Sequence, residues 1–258
     1  SSAASDVFKR QLLAFVPMIF GMDHKEIAEM LGGYMAGVTV SGVLFGFLAL
    51  LASIQKDLPL AFFFLALALF IDGIDGSLAR KVDVKKYTPH ISGENLDNII
   101  DYLNYVFVPA FVIYWLDLVP SGTELLSALI ILVVSCYTFA NNNMKTSDFY
   151  FSGFPALWNV VILYFYILNT NPQLNFIVIC VLSVLTFIPI KYSHPFRVQH
   201  LRKTTLCLLM IWIITTIIIL YFDYLDSYIT NTSFNIWVLT NLYFLFLTIL
   251  RTIRGPNQ

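Results

Sequence analysis

The sequence predicts an all-α fold, a polytopic integral membrane bundle of about eight transmembrane helices. Three observations predict it: a composition that cannot coat a water-soluble globule, a series of apolar runs of spanning length, and a one-sided distribution of basic residues. Of the 258 residues, 58% are hydrophobic and only 12% charged, and the mean hydropathy is +0.76. A soluble domain is nearer half apolar and a quarter charged, so lipid must be the solvent for much of this surface. The net charge of -1 offers no basic excess to neutralise phosphates, and no nucleic-acid partner is expected. Cys136, Cys180 and Cys207 lie in apolar runs without ligand-like spacing. They read as small packing or lipid-facing residues rather than as a disulfide or metal set.

In chain order, residues 1–30 are expected to form an interfacial amphipathic segment, with Phe8, Leu12, Leu13, Phe15 and Phe20 interleaved with charge. Lys9 and Arg10 are not followed by a small-residue cleavage site, so no cleaved leader is expected. Residues 31–258 form the transmembrane domain. A hydrocarbon core of about 30 Å needs roughly 20 apolar residues as a helix. Eight runs fit, at about 31–54, 58–79, 94–116, 124–143, 154–168, 174–190, 204–222 and 234–250. The fifth and sixth are short, and a six-span arrangement arises if they form one broken hairpin. The first span carries Gly33, Gly37 and Ser41 on one register and Gly42 and Gly46 on another. Such spacing admits close helix approach in lipid, either between two copies of the chain or within one.

The loops orient the bundle. With the amino terminus inside, the inner loops collect Lys9, Arg10, Lys25, Arg80, Lys81, Lys85, Lys86, Lys145, Lys191, Arg197, Arg202, Lys203, Arg251 and Arg254. The outer loops collect Lys56 alone. This is the asymmetry that the positive-inside rule requires of an even number of spans with a cytoplasmic start.

Four carboxylates stand out against this background. Asp72 and Asp75 lie near the inner end of the second span, and Asp97 and Asp101 near the inner start of the third. A carboxylate at membrane depth costs several kcal/mol unless it is paired or bound to a cation. Spacings of three and four put each pair on one helix face. Asp72 is eight residues before Arg80, and Asp101 eight after Gly93. At 1.5 Å per residue both lie about 12 Å from those turn points, so the four face one another at one depth. They cannot all ionise without compensating charge. Two divalent cations would supply it, and oxygen-only ligands favour Mg²⁺ or Mn²⁺ over zinc. Paired metals suggest phosphoryl chemistry; an ion relay in a transporter is the other reading of intramembrane acids. Gly73, Gly76 and Gly93 leave room for a flat ligand against the backbone. Arg80, at the mouth, offers fixed donors to a phosphate or nucleotide oxygen.

Together these residues spell Asp72-x2-Asp75-Gly76-x2-Ala79-Arg80-x12-Gly93-x3-Asp97-x3-Asp101. The pattern resembles the signature of the CDP-alcohol phosphotransferase family at all eight fixed positions. The twelve residues between Arg80 and Gly93 exceed the eight or so usual in the family. That longer insert is similar to the one in its bacterial phosphatidylcholine synthase branch. The stretches Leu96–Pro109 and Phe151–Asn159 also resemble that branch, and the likeness runs from about residue 35 to about 210. The resemblance implies a helical membrane enzyme, commonly dimeric, whose polar cavity opens to the cytoplasm of a bacterial inner membrane. It implies that Asp72, Asp75, Asp97 and Asp101 bind two cations, Mn²⁺ or Mg²⁺. It further implies that Asp72, Gly76, Ala79, Arg80 and Gly93 form the cytidine-diphosphate site. Asp101 would be the catalytic base, with a water held on a cation competing for that role.

The implied reaction transfers the phosphatidyl group of CDP-diacylglycerol to choline, giving phosphatidylcholine and CMP. Serine, inositol or glycerol 3-phosphate are the alternative acceptors within the family. Choline's quaternary ammonium has no hydrogen-bond donor, so its site needs aromatic faces and a countercharge. Tyr102 and Tyr105 beside the motif, Tyr150, Phe151, Phe154 and Trp158 near the fifth span, and the carboxylates Glu94 and Asp148 are the candidates. Belt or packing roles compete for every aromatic among them. In the basic loop that follows the sixth span, Arg197 is the candidate for holding a lipid phosphate.

Overall fold

The computed structural model describes residues 24–82, 92–141, 144, 150–193, 202–222 and 227–254, and within them all side chains except those of 24–36, 38, 39, 74–82, 193, 202, 227 and 254. Most of the interfacial segment expected at residues 1–30 lies outside the described residues; positions 24–30 already belong to the first helix.

Helices α1 (His24–Ile54) and α2 (Leu58–Val82) form a hairpin. Its turn follows from hydrogen-bond accounting at a helix end. The Asp57 amide donates to the Ala52 carbonyl and the Lys56 amide to that of Ser53, both at 3.0 Å. Lys56 takes the left-handed conformation at φ 62°, which closes α1 with a Schellman motif. Asp57 then caps α2, its Oδ1 accepting from the Leu60 amide at 3.0 Å.

Helix α3 occupies Gly93–Trp115. Ser92 caps it by accepting from the Asn95 amide. It is α-helical over Gly93–Tyr102, widens to a π-turn over Leu103–Phe107, and resumes over Val108–Trp115. The Val108 amide donates to the Leu103 carbonyl, five residues back, which defines the wider turn. This helix is the centre of the core. Val106, Val108, Val112 and Ile113 have no exposed surface, and Ile131, Trp158 and Ile179 close around them.

Helices α4 (Glu124–Ala140) and α5 (Trp158–Ile167) pack on α3, and α6 (Pro172–Leu185) packs on α4. Asn171 caps α6 by accepting from the Leu174 amide, and Pro172 fills the first turn, where no donor is needed. Asn175 donates to the Leu118 carbonyl and so anchors α6 to the loop after α3. Strands β1 (Tyr150–Ser152) and β2 (Lys191–Ser193) pair antiparallel, Phe151 opposite Tyr192. Helices α7 (Arg202–Tyr221) and α8 (Ser227–Arg254) pack on each other, and α8 also packs on β2.

All eight expected apolar runs are helices. Among the described residues, those at Gly93–Trp115, Lys203–Tyr221 and Tyr228–Ile253 are long and apolar enough to cross a membrane, and further apolar helical stretches lie at Val40–Ile54, Leu58–Gly73, Glu124–Ala140, Trp158–Ile167 and Pro172–Leu185. The outward faces are greasy: Leu44, Phe70, Val133 and Leu239 are all exposed. Several buried hydroxyls are satisfied within their own helix. Ser53 donates to the Ala49 carbonyl and Ser183 to that of Ile179, both at 2.7 Å, as a medium without water demands.

Two local differences from expectation have physical causes. The fifth helix begins at Trp158 and not near 154, because Gly153 (φ 93°) and Ala156 (φ 57°) sit in left-handed conformations that break a helix. The ribbon β1–β2 was not expected; three-residue strands carry too little alternation to be read from sequence.

The small residues of α1 divide as well. Gly42 and Gly46 face α3 within the chain, where a Cβ on Gly42 would meet Ile100 at 2.8 Å and one on Gly46 would overlap Asn104. The backbone of Gly42 accepts from Asn104 Nδ2 at 3.2 Å. This register serves intrachain packing. Gly37 faces open space.

Candidate active site

Helix α1 packs against both α2 and α3, and alongside it the two acidic elements meet through side chains. Asp72 comes from α2; Asp97 and Asp101 come from successive turns of α3. Each carboxylate is partly buried, and each offers an oxygen within 4.8 Å of those of the other two. Tyr105, one further turn along α3, donates its hydroxyl to Asp72 Oδ2 at 2.9 Å. The expected convergence of the second and third helices is thus present for three of the four acids. Asp75 lies on α2 one turn beyond Asp72, with its side chain outside those described.

The donor set tests what could sit there. Three carboxylates this close repel one another unless a cation lies between them or a proton is shared. The groups are oxygen donors without a His or Cys in the cluster, which suits hard divalent cations such as Mg²⁺ and Mn²⁺. The partly buried setting lowers the dielectric and raises the demand for compensation. The residues fit the ions expected from sequence.

The glycines nearby have room. Gly73 and Gly93 are exposed, and a Cβ added at either would meet nothing within 4 Å. Gly93 opens α3 one turn before Asp97. Gly76, Ala79 and Arg80 follow on α2, their side chains outside those described.

The acceptor candidates scatter. Tyr105 is buried against Asp72. Tyr102, on the next face of α3, donates to the Leu132 carbonyl at 3.0 Å and stands edge-on to Phe139. Trp158 is buried, donates to Ser135 Oγ at 2.9 Å and packs edge-on against Phe154. Tyr150 is buried as well, and one ring face carries the Arg251 guanidinium at 5.1 Å. Phe151, in β1, is partly buried. Glu94 is exposed on the first turn of α3. Asp148 and Arg197 lie outside the described residues. Among the described candidates, Tyr105 bonds the acidic cluster directly.

Two participants were not given these roles by sequence reasoning. The hydroxyl of Tyr105 bonds the cluster, although its position four residues after Asp101 on the same stripe was a signal. Asn104 stood only within the stretch Leu96–Pro109 and was given no role of its own; a polar amide inside an apolar span was the clue to it.

Comparison with known proteins gives one family and a consistent set of relatives. The model of the CDP-alcohol phosphatidyltransferase family matches residues 36–185. A phosphatidylcholine synthase of Pseudomonas aeruginosa is 41% identical over 217 residues, covering 84% of this chain and 90% of the relative. One from Mesorhizobium japonicum is 43% identical over 175 residues, covering 68% and 65%. One from Rhizobium johnstonii is 38% identical over 194 residues, covering 75% and 80%.

Proposed function

The chain belongs to the CDP-alcohol phosphatidyltransferase family, and from that premise we infer that it acts as a phosphatidylcholine synthase. It is a membrane enzyme that transfers the phosphatidyl group of CDP-diacylglycerol to choline, releasing CMP. Relatives bearing that name cover most of the chain at about 40% identity. The observation that carries the reading is the convergence of Asp72 with Asp97 and Asp101, because these are three of the acids of the family signature.

Divalent cations serve this family, and the carboxylate cluster supports the same requirement here. Asp72, Asp75, Asp97 and Asp101 hold two of them, Mn²⁺ or Mg²⁺. Bound there, the ions supply positive charge against the pyrophosphate and the departing CMP. The remaining roles belong to the chain. Gly76, Ala79 and Gly93 keep the backbone clear for the cytidine ring, and Arg80 meets a phosphate oxygen with fixed donors. Asp72 contributes to the same nucleotide site from its position at the α2–α3 meeting. Asp101 accepts the proton of choline's hydroxyl as its oxygen attacks the β-phosphate of the lipid. The new P–O bond forms to choline while the bond to CMP breaks, and the phosphate stays with the lipid.

All eight helices traverse the bilayer around a polar cavity that opens to the cytoplasm of a bacterial inner membrane. The basic inner loops support this orientation. Arg197 holds a lipid phosphate, and a second copy of the chain is the candidate partner. For choline, Glu94 supplies a countercharge from the exposed first turn of α3, with Asp148 as the second candidate. Tyr102, Tyr105, Tyr150 and Trp158 remain the aromatic candidates. Of these, Tyr150 already carries the cation of Arg251 on one face.

The test is CMP release from CDP-diacylglycerol by the purified protein with Mn²⁺, comparing choline, serine, inositol and glycerol 3-phosphate. Release with choline that stops on adding a chelator is the expected result. Release with another alcohol instead would remove the acceptor assignment and keep the family chemistry.

A further inference from the structure

Tyr105 reaches the acidic cluster through an irregularity in its own helix. Asp97, Asp101 and Tyr105 are spaced by four, and each such step along an α-helix drifts about 40° around the axis. Left uncorrected, two steps carry Tyr105 well away from the face of Asp97. The π-turn at Leu103–Phe107, with its bonds between residues five apart, turns less per residue and takes back part of that drift. The phenol therefore projects toward α2, where its hydroxyl donates to Asp72 Oδ2 at 2.9 Å.

The surroundings hold this turn in place. Asn104, Tyr105 and Val106 are all buried. Asn104 donates to the Gly42 carbonyl, and the absence of a side chain at Gly46 makes room for its amide. A wider turn is costly in an isolated helix, and here the neighbouring helix is shaped to receive it. The hydroxyl's partner is a carboxylate that has two oxygens to distribute. An ionised carboxylate only accepts, so the phenol must donate. The bond to one oxygen thereby restrains the rotation of the whole carboxylate beside Asp97 and Asp101. Side chains that orient ligands in this way set affinity as much as the ligands do.

We propose that Tyr105 is a positioning residue of the cation site: delivered by the π-turn of α3, its hydroxyl orients Asp72 toward Asp97 and Asp101. The proposal rests on the acidic cluster being the site of the cations. Tyr105 itself takes no part in the bond changes. Phe at this position keeps the buried ring and deletes only the donor.

The experiment titrates Mn²⁺ into the metal-stripped, full-length protein in detergent and reads the free ion by electron paramagnetic resonance. Four proteins are compared: the unaltered chain, Tyr105→Phe, Asp97→Asn and Tyr164→Phe. The last deletes a hydroxyl that bonds Asn241 on α8. Tyr105→Phe is expected to weaken Mn²⁺ binding about 10-fold, the lower end of what loss of an outer partner costs. The Mn²⁺ concentration for half-maximal CMP release should rise by the same factor. Asp97→Asn should lose binding, and Tyr164→Phe should bind as the unaltered chain does. Unchanged binding in Tyr105→Phe beside a loss in Asp97→Asn overturns the role of Tyr105 alone. Unchanged binding in both removes the cation site, and the proposal with it. Equal weakening in Tyr105→Phe and Tyr164→Phe reduces the effect to general loosening and also overturns it.

Discussion

Asp72 shares no helix with Asp97 and Asp101, yet the oxygens of all three lie within 4.8 Å of one another. A site built this way depends on each acid separately. Asp97→Asn keeps the shape and removes one charge, and it is expected to lower CMP release by more than about 100-fold, beyond the usual cost of an outer partner. A folded Asp97→Asn protein with normal turnover in that assay would remove this acid from the chemistry. Asp101→Asn should stop turnover too, and if Mn²⁺ still binds, the loss is assigned to the base and not to the metal site. Trp158 makes a contrasting case. Trp158→Phe leaves Ser135 Oγ without its donor in a buried setting, a loss worth about 1–3 kcal/mol. Thermal unfolding in detergent should register that loss, while the choline requirement stays put if packing is the residue's main role. The acids were legible in the sequence, because charge inside an apolar run is conspicuous and spacings of three and four name a face. The role of the Tyr105 hydroxyl was legible only in part: its spacing of four after Asp101 was a signal, but its direction depends on the π-turn.

At the scale of the helices, hydropathy located every helix of the described chain, but α1 and α8 extend beyond their apolar runs and α5 begins later than expected. Gly153 and Ala156 delay α5 by adopting left-handed backbone, and the paired strands β1 and β2 are too short to leave a pattern. The small residues of α1 illustrate a different limit. Sequence shows that they permit close approach, but the partner is visible only in three dimensions. Gly46→Ala forces a methyl group against Asn104 and is expected to cost about 1–3 kcal/mol, the usual range for overpacking. The double variant Gly46→Ala with Asn104→Ala should be less destabilised than the sum of its parts, as contacting positions are. Additive losses would mean that the two residues do not interlock. Gly37→Ala should leave monomer stability unchanged, because nothing lies within 4 Å of the added carbon. Cross-linking of that same variant then reads whether the outward register carries a dimer.

Across the whole molecule, the apolar exterior and locally satisfied hydroxyls fit a lipid environment, and basic residues gather on one predicted side. The orientation has a direct check. Lys56 is exposed in the α1–α2 turn, and Lys203 is exposed at the start of α7. In a background without Cys136, Cys180 and Cys207, Lys56→Cys should react with an impermeant maleimide in intact cells, and Lys203→Cys only after lysis. The reverse pattern would invert the bundle and put the acidic cluster on the wrong side for a cytoplasmic nucleotide substrate. The bond between Asn104 and the Gly42 carbonyl also bears on the order of synthesis. Gly42 leaves the ribosome 62 residues ahead of Asn104, so its carbonyl is already in the bilayer when the amide arrives. The first helix then acts as a waiting template for the third, and an amide that is expensive alone in lipid enters beside its acceptor.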